Sequence, residues 1–358
     1  MSDAPSTVLA DDGLQPLSSA LGPRPGSTFL SRWPSVRDRI AEGLLLTVTL
    51  ISALVVLLIV AFVVSRGWTI FAHQGVAFVT RGGWDIAMQD ATAASEWGGA
   101  GKVVFGAWPL IAGTLLTTGG AVSLAAILGM GCAIFLANLA PRWLARPVET
   151  VVRLLAGIPS VVFGLIGLTV IVPWIQTAFV SQDLANRYPD LSLTGESLLA
   201  GILVLAFMIL PFFVSIATDS LRAVPESYRL GGLALGMTPW RAVTRLVVPP
   251  AIPGLVAGLV LASARAVGEA IALSMVAGAM SNVPSVAHGL VFFLEPVRTM
   301  ASAIVEGGDS MQQVPQIQAA LFGVATVLLA MSLVLSVTAR AASASFAKRM
   351  HLISDRAS

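Results

Sequence analysis

Two charged side chains stand inside a long apolar segment of the chain. Residues 264–269 read ARAVGE, in which Arg265 and Glu269 carry the charges. A charge costs several kcal/mol to insert into a bilayer, so an intramembrane arginine and glutamate point to function. A guanidinium can bind two oxygens of an oxyanion at once. A spacing of four residues puts both groups on one face of a helix, where they can pair. The alternative is a structural ion pair that fixes helix packing.

A second stretch predicts a broken helix within another apolar segment. Residues 154–168 read LLAGIPSVVFGLIGL, and Gly157 and Pro159 should interrupt the helix there. Broken helices are tolerated at membrane depth where they line a cavity. A half-helix that starts near Ser160 offers free backbone N–H groups to an anion. The alternative for this Gly-x-Pro sequence is a kink that serves packing alone.

The polar run 224–255 predicts a docking surface between two apolar segments. Apolar residues from Tyr228 to Leu235 recur at helical spacing, which predicts a short amphipathic helix. Gly231 and Gly232 leave one face of this helix without side chains, so another protein can approach its backbone. Gly236 should end the helix, and a second helix should lead to Pro249, where a membrane span begins.

The elements that must position these residues are membrane spans. The chain has 358 residues, of which 56% are hydrophobic and 11% are charged, with a mean hydropathy of +0.85. Soluble domains carry about 25% charged residues, so a soluble globule is excluded. Six apolar segments are long enough to cross a bilayer: 44–64, 103–139, 148–175, 198–216, 251–279 and 317–337. The fold class is therefore an all-α integral membrane protein with six transmembrane helices.

The same pattern divides the chain into four parts. We expect a tail at 1–40, a first span with an external loop at 41–104, a core of five spans at 105–345 that contains the coupling loop 222–249, and a second tail at 346–358. Trp68, Trp84 and Trp97 suggest that the loop after the first span lies at the membrane interface.

Basic residues orient the spans. Of the 21 Lys and Arg residues, 15 fall on one side of the six-span arrangement and five on the other, with Arg265 inside a span. Basic residues accumulate on the cytoplasmic side, so both termini and the coupling loop are expected to face the cytoplasm. The lone Cys132 allows no disulfide framework and no cysteine metal site, and no cofactor is expected.

The run at 224–255 resembles the EAA loop of ATP-binding-cassette importer permeases. Gly231 and Gly232 occupy the two alanine places, Gly236 is the motif glycine, and Pro249 closes the motif at the family spacing. Leu230 stands where the family has its glutamate. Glu226, one helical turn earlier, can present a carboxylate on the same face as a substitute.

Two further segments carry a closer resemblance. AGIPSVVFGL and RAVGEAIALSMVAG are similar to segments of the phosphate-specific transport permeases, the PstC/PstA family, and residues 299–321 look more like the PstC side. The resemblance implies a MetI-like fold of a type I importer in the bacterial inner membrane. It also implies a PstA-like second permease, two PstB-like ATPase subunits, a PstS-like phosphate-binding protein, and phosphate as cargo, with no nucleic-acid partner.

Three other functions compete with this interpretation. A permease for another oxyanion, such as sulfate or molybdate, would carry the same coupling loop. An intramembrane enzyme lacks support, since the sequence has no His-Glu-x-x-His and no Gly-x-Ser-x-Gly. A membrane scaffold without transport activity would leave Arg265 and Glu269 unexplained. The sequence has no Gly-x-x-x-x-Gly-Lys-[Ser/Thr] either, which agrees with ATP hydrolysis by partner subunits rather than by this chain.

Overall fold

The computed structural model describes residues 36–96, 103–311 and 314–357, and these residues are almost entirely helical. The α-helices, in chain order, are α1 (Val36–Gln74), α2 (Ala77–Thr80), α3 (Trp84–Glu96), α4 (Trp108–Ile134), α5 (Arg142–Ala156), α6 (Ser160–Ile166), α7 (Val172–Phe179), α8 (Gln182–Arg187), α9 (Leu198–Arg222), α10 (Glu226–Ala234), α11 (Pro239–Ala242), α12 (Val248–Val267), α13 (Ile271–Val276), α14 (Met300–Glu306), α15 (Gly308–Met311) and α16 (Pro315–Ala357).

Within the described residues, three π-helical segments join consecutive helices, and two 3₁₀ segments lie in the loops. The π segments are Phe135–Leu139, Gly167–Ile171 and Val243–Val247, and the 3₁₀ segments are Pro189–Leu191 and Val286–Leu294. Each π segment is followed within two residues by a proline, at 141, 173 and 249. Because proline has no N–H to donate, a local shift to π geometry lets the helix pass or end at that point.

Six helical stretches of the described chain are long and apolar enough to span a bilayer. They are Ile40–Gln74, Trp108–Leu139, Ser160–Phe179, Leu198–Arg222, Pro239–Val267 and Pro315–Thr338. The six predicted spans are therefore all present. Several boundaries differ: the second span starts at Trp108, with Pro109 in its first turn, and the third starts at Ser160 rather than at 148. The fifth follows Pro239 in one helical run with Pro249 inside it, and it ends at Val267 rather than at 279.

The chain divides into two compact units, residues 1–59 and residues 60–358. Of the first unit, the structure describes only the helical residues from Val36 onward, and the predicted tail at 1–40 lies almost wholly outside the described residues. The side chains described in this unit, from Ile40 onward, are exposed. Residues 346–357 of the predicted tail at 346–358 belong to α16, whose backbone is helical to Ala357.

The main core of the second unit lies where α4, α9 and α12 pack against one another. Its members are mostly small or branched apolar residues, with Met208, Phe213 and Leu221 of α9 fully buried at the centre. A second core joins the end of α1, the start of α4 and the start of α16. Trp84 is buried there against Phe105, with ring centroids 5.6 Å apart. Trp84 therefore packs inside the protein, and Trp97 lies outside the described residues; the interfacial placement of this loop stays a prediction.

The direction of α9 defines the two ends of the second unit. We call the end at Arg222, next to α10, the inner end, and the end at Leu198 the outer end. Arg222 donates to the carbonyl oxygen of Leu136, and a Cβ at Gly201 would lie 3.1 Å from Thr117 Cγ2, so α4 runs parallel to α9. This agrees with their order in the chain: α4 and α9 form the second and fourth spans, and alternate spans cross a bilayer in the same direction.

Candidate functional site

The predicted break in the third apolar segment is present. Helix α5 ends at Ala156, residues 157–159 are not helical, and α6 begins at Ser160. Pro159 is the residue before the helix, and no side chain caps this helix start. Ser160 is partly exposed. The Gly-x-Pro sequence therefore divides the helix where the residue types predicted.

Helices α6 and α13 pack closely and run in parallel. A Cβ at Gly164 would lie 2.9 Å from Ala272 Cα, and a Cβ at Gly167 would lie 2.7 Å from Val276 Cγ1. Glycine is required at such distances because any side chain would collide with the neighbouring helix. Gly164 lies beside Ala272, and Gly167 lies beside Val276. Four residues before Gly164 is Ser160, and four residues before Ala272 is Gly268, so Ser160 lies at the same level as Gly268 and Glu269.

Arg265 and Glu269 do not share one helix, contrary to expectation. Helix α12 ends at Val267, and Gly268 follows as its C-cap. Glu269 instead precedes α13, where its Oε1 accepts a hydrogen bond from the Ala272 N–H at 3.2 Å. No ion pair joins Arg265 to Glu269 in the structure, and none joins Arg265 to any other described carboxylate.

Arg265 lies against an aromatic ring deep within the helices. Its Cζ is 5.6 Å from the ring centroid of Phe212 in α9, a cation–π contact. Phe212 is ten residues from the inner end of α9 and fourteen from the outer end. At 1.5 Å per residue these separations are about 15 Å and about 21 Å. In a hydrocarbon core of about 30 Å, the arginine is therefore near mid-depth.

The break at Ser160 lies at the same level along α9 as Phe212. Arg153 of α5 is 3.9 Å from Asp219, and a Cβ at Gly167 would lie 2.5 Å from Val204 Cγ2. Ser160 is halfway between residues 153 and 167, so it lies level with the middle of the 204–219 stretch, close to Phe212. The fold therefore brings Ser160, Arg265 and Glu269 to one level, although 105 residues separate Ser160 from Arg265.

The predicted docking segment has the expected helices. Helix α10 begins at Glu226, and Gly236 has a positive φ of 78°, which ends the helix with a turn that favours glycine. Thr238 then caps α11 by accepting from the Arg241 N–H. Leu230 is 53% exposed and Leu235 is 83% exposed, so apolar side chains stand open here.

The two adjacent glycines of α10 differ in their surroundings. Gly231 is exposed, and a Cβ there would meet nothing within 4 Å. Gly232 is buried, and a Cβ there would lie 2.6 Å from Leu246 Cδ1 and 3.1 Å from Ala242 Cβ. The prediction that both glycines form an open face is therefore wrong for Gly232, which permits α10 to pack on the segment that leads into α12.

Sequence reasoning missed the polar contacts that hold α5 and α10 in place. Arg222 donates from Nη1 to Glu149 Oε2 at 2.9 Å and from Nη2 to Glu149 Oε1. Arg229 of α10 donates to the carbonyl oxygen of Asn138 at 2.7 Å. The two partners in each contact are 73 and 91 residues apart, so no local pattern signals them.

The amino-acid sequence matches a known family of membrane proteins. Residues 127–351 match the family model described as "Binding-protein-dependent transport system inner membrane component". The chain is 32% identical to the PstC phosphate transport system permease protein of Haemophilus influenzae over 80% of its own length and 90% of that protein. The PstC protein of Pasteurella multocida is 30% identical, over 83% and 92% of the two chains.

Other relatives align over a shorter part. A probable ABC transporter permease protein of Bacillus subtilis, YqgH, is 43% identical over 50% of this chain, and the alignment spans 55% of that protein. Among solved structures, an inward-facing form of the MetNI methionine ABC transporter superposes with a TM-score of 0.47 at 17% identity, covering 65% of this chain and 93% of the other. The predicted fold class, an all-α membrane permease with six transmembrane helices, is confirmed by the helices together with the family match.

Proposed function

Because the chain belongs to the family of binding-protein-dependent transport system inner membrane components, we propose that it is a permease subunit of an ATP-driven importer whose cargo is inorganic phosphate. It is a multi-pass membrane protein. Its relatives are permease subunits and not enzymes, so ATP hydrolysis belongs to partner subunits.

The observation that carries the choice of an anionic cargo is the position of Arg265. Its guanidinium lies near mid-depth against Phe212, with no ion pair among the described residues. An isolated cation at this depth is costly and is found where a polar path or a counter-ion requires it. An oxyanion that passes the arginine would supply the missing negative charge and accept two parallel hydrogen bonds.

Glu269 and Ser160 fit the same path. Both lie level with Arg265, and Ser160 opens a helix whose first N–H groups point toward the break. The Glu269 carboxylate can accept a hydrogen bond from the protonated oxygen of hydrogen phosphate. Sulfate has no such proton at neutral pH and would leave the carboxylate repelled, a penalty of about 1–3 kcal/mol. The residues therefore favour phosphate over sulfate.

Helix α10 is the proposed docking site for the ATPase. Glu226, Leu230 and Gly231 are exposed along α10, and Leu235 and Trp240 extend this open surface past the turn at Gly236. Glu226 is one turn before Leu230, so it partly replaces the glutamate that relatives of this type carry in their coupling loop. Pro249 belongs to the helix that transmits the movement into the membrane.

The proposed assembly contains several chains. The family implies a partner ATPase and a substrate-binding protein. We assign the finer roles to a PstA-like second permease, two PstB-like ATPases and a PstS-like phosphate-binding protein. Both termini and α10 are assigned to the cytoplasm, since basic residues concentrate on that side of the spans. Residues 105–345 act as the permease core, with 222–249 as its coupling segment.

Uptake of labelled phosphate tests the proposal. The complete set of subunits is expressed in cells that lack other phosphate importers, and uptake is measured with and without excess unlabelled sulfate. We expect phosphate uptake that requires this chain and resists sulfate. Uptake that sulfate or molybdate abolishes would assign the chain to a permease for another oxyanion.

A further inference from the structure

Arg222 joins three segments at the inner end of the helices. Its Nη1 donates to Glu149 Oε2 at 2.9 Å, and its Nη2 donates to Glu149 Oε1 and to the carbonyl oxygen of Leu136 at 3.3 Å. Two parallel bonds to one carboxylate fix direction as well as distance, which a lysine cannot reproduce. The Glu149 side chain is 19% exposed and the Arg222 side chain is 40% exposed, so the carboxylate end of the contact is the part shielded from solvent.

A second arginine attaches α10 to the same region. Arg229 donates from Nη1 to the carbonyl oxygen of Asn138 at 2.7 Å. Arg222 is three residues ahead of Pro225, which precedes α10. Helix α10 is therefore held at both its start and its middle to residues 136–149, the segment that leads from the second span into α5.

Helix α5 connects this attachment to the break in the third span. Glu149 is eight residues before Gly157, a separation of about 12 Å along the helix axis. Hydrogen-bonded helices behave as rigid elements on this length scale. At the break, the N–H groups of Gly157 and Ile158 still bond back to the Leu154 and Leu155 carbonyl oxygens of α5, whereas Pro159 has no N–H to donate. A displacement of Glu149 is therefore delivered to Ser160 rather than absorbed within α5.

We propose that Arg222 is a positioning residue that transmits movement of α10 through Glu149 and α5 to the break at residues 157–159. This inference rests on the proposed function, in which the ATPase moves α10. When α10 shifts, the end of α9 at Arg222 moves with it and draws α5 along through Glu149, and Ser160 with the start of α6 changes its position relative to Glu269. The gate movement then requires no direct contact between α10 and the substrate path.

The structure offers a matched control pair on the same two helices. Arg153 is one turn later in α5 than Glu149, and Asp219 is one turn earlier in α9 than Arg222. Their contact is longer, at 3.9 Å, and the side chains are 64% and 62% exposed. An exposed single contact of this kind contributes little to stability or position. Loss of Arg153 therefore removes a charge from the same helix while leaving the Arg222–Glu149 contact intact.

The first test measures coupling in the assembled complex. The full chain, its partner permease, the ATPases and the binding protein are reconstituted in vesicles, and phosphate imported per ATP hydrolysed is compared among variants. We expect Glu149→Gln and Arg222→Gln to lower this ratio about tenfold, Arg222→Lys to lower it less, and Arg153→Gln to keep it within about twofold. Only complexes that co-purify with the ATPase are compared. An equal loss in Arg153→Gln, or no loss in Glu149→Gln, would overturn the proposal.

The second test follows the movement itself. Cys132 is the only cysteine of the chain, so Ser160→Cys in a Cys132→Ser background reports access at the break to a small polar thiol reagent. We expect labelling to differ between nucleotide-free and ATP-trapped states, and Glu149→Gln to remove that difference while ATP hydrolysis continues. A nucleotide-dependent difference that survives in Glu149→Gln contradicts the transmission route. Failure of the wild-type complex to import phosphate would refute the proposed cargo instead, because the labelling difference does not depend on which anion passes.

Discussion

At the scale of single residues, Arg265 carries the most specific expectation. We expect Arg265→Ala and Arg265→Lys to abolish phosphate uptake while the complex still assembles, because alanine has no charge and lysine cannot bind two oxygens in parallel. Labelled-phosphate uptake and ATPase co-purification measure the two properties. Arg187→Gln, which removes an exposed arginine of α8, is the matched control. Full uptake by Arg265→Ala would reduce the arginine to a packing role against Phe212.

Glutamine at position 269 can remove the charge of Glu269 while keeping its hydrogen bond. Its Oε1 caps α13 through the Ala272 N–H, and the carboxamide oxygen of glutamine can accept the same bond. Glu269→Gln should therefore keep the fold and remove only the charge. We expect phosphate uptake to fall, or its preference over sulfate to narrow, by about one to two orders of magnitude. A sulfate competition curve identical to wild type would show that Glu269 serves only as a helix cap.

Glu226 tests whether charge contributes to ATPase docking. We expect Glu226→Lys to uncouple ATP hydrolysis from transport, because it places a cation on the exposed face that Leu230 shares. The comparison is ATPase activity against phosphate uptake in the same vesicles. Glu226→Gln separates charge reversal from charge loss, and its effect should be smaller. If Glu226→Lys transports normally, docking depends on the shape of the exposed surface alone.

At the scale of elements, the adjacent glycines of α10 separate packing from docking. Gly232→Val must displace Leu246 and Ala242, so we expect a lower melting temperature, equivalent to about 1–3 kcal/mol. Gly231→Val meets open space. It should cost only the small helix penalty of a β-branched residue but block ATPase capture. A pull-down with normal recovery for Gly231→Val would remove this face of α10 from the docking surface.

Some elements could be predicted because their signals are local. Gly157 and Pro159 break a helix through their own backbone chemistry, and Gly236 ends α10 for the same reason. The end of α12 at Val267 could not be predicted, because Gly268 also fits a continuous apolar helix. The four-residue spacing of Arg265 and Glu269 also favoured an ion pair within one helix. The burial of Gly232 depends on Leu246, which reaches it only after the turn at Gly236.

Contacts between segments distant in sequence could not be predicted, because no local residue pattern signals them. The pairing of Glu149 with Arg222, and of Arg229 with the backbone of Asn138, depends on how whole helices are placed. The six spans could still be predicted, because length and apolarity alone decide whether a helix can cross a bilayer. The position of Arg265 inside a span followed from the apolar residues around it, whereas its contact with Phe212 required the packing of α9 on α12.

At the scale of the whole second unit, one cluster at the outer end joins segments that are far apart in sequence. Asp85 of α3 accepts hydrogen bonds from the Ser281 N–H at 2.7 Å and from Arg298 Nη1 at 2.9 Å. Arg298 Nη2 is also 2.9 Å from Glu306 Oε2 of α14, and the arginine side chain is only 17% exposed. This arginine therefore holds α3 and α14 to one another across more than 200 residues.

Removal of Arg298 should destabilise this cluster in a pH-dependent way. Burial raises the pKa of the Glu306 carboxyl above its usual value, while Arg298 opposes that rise. In Arg298→Gln, two carboxylates share a partly buried site without a counter-charge, so we expect a loss of about 1–3 kcal/mol near pH 7. A carboxyl with a raised folded-state pKa contributes stability that is present at low pH and lost as pH rises through that pKa. Thermal unfolding of Arg298→Gln should therefore approach wild type as the pH falls from 7 toward 5, whereas Arg187→Gln should follow wild type throughout. A deficit in Arg298→Gln that stays constant over this range would mean that the arginine acts through packing and not through the charge of Glu306.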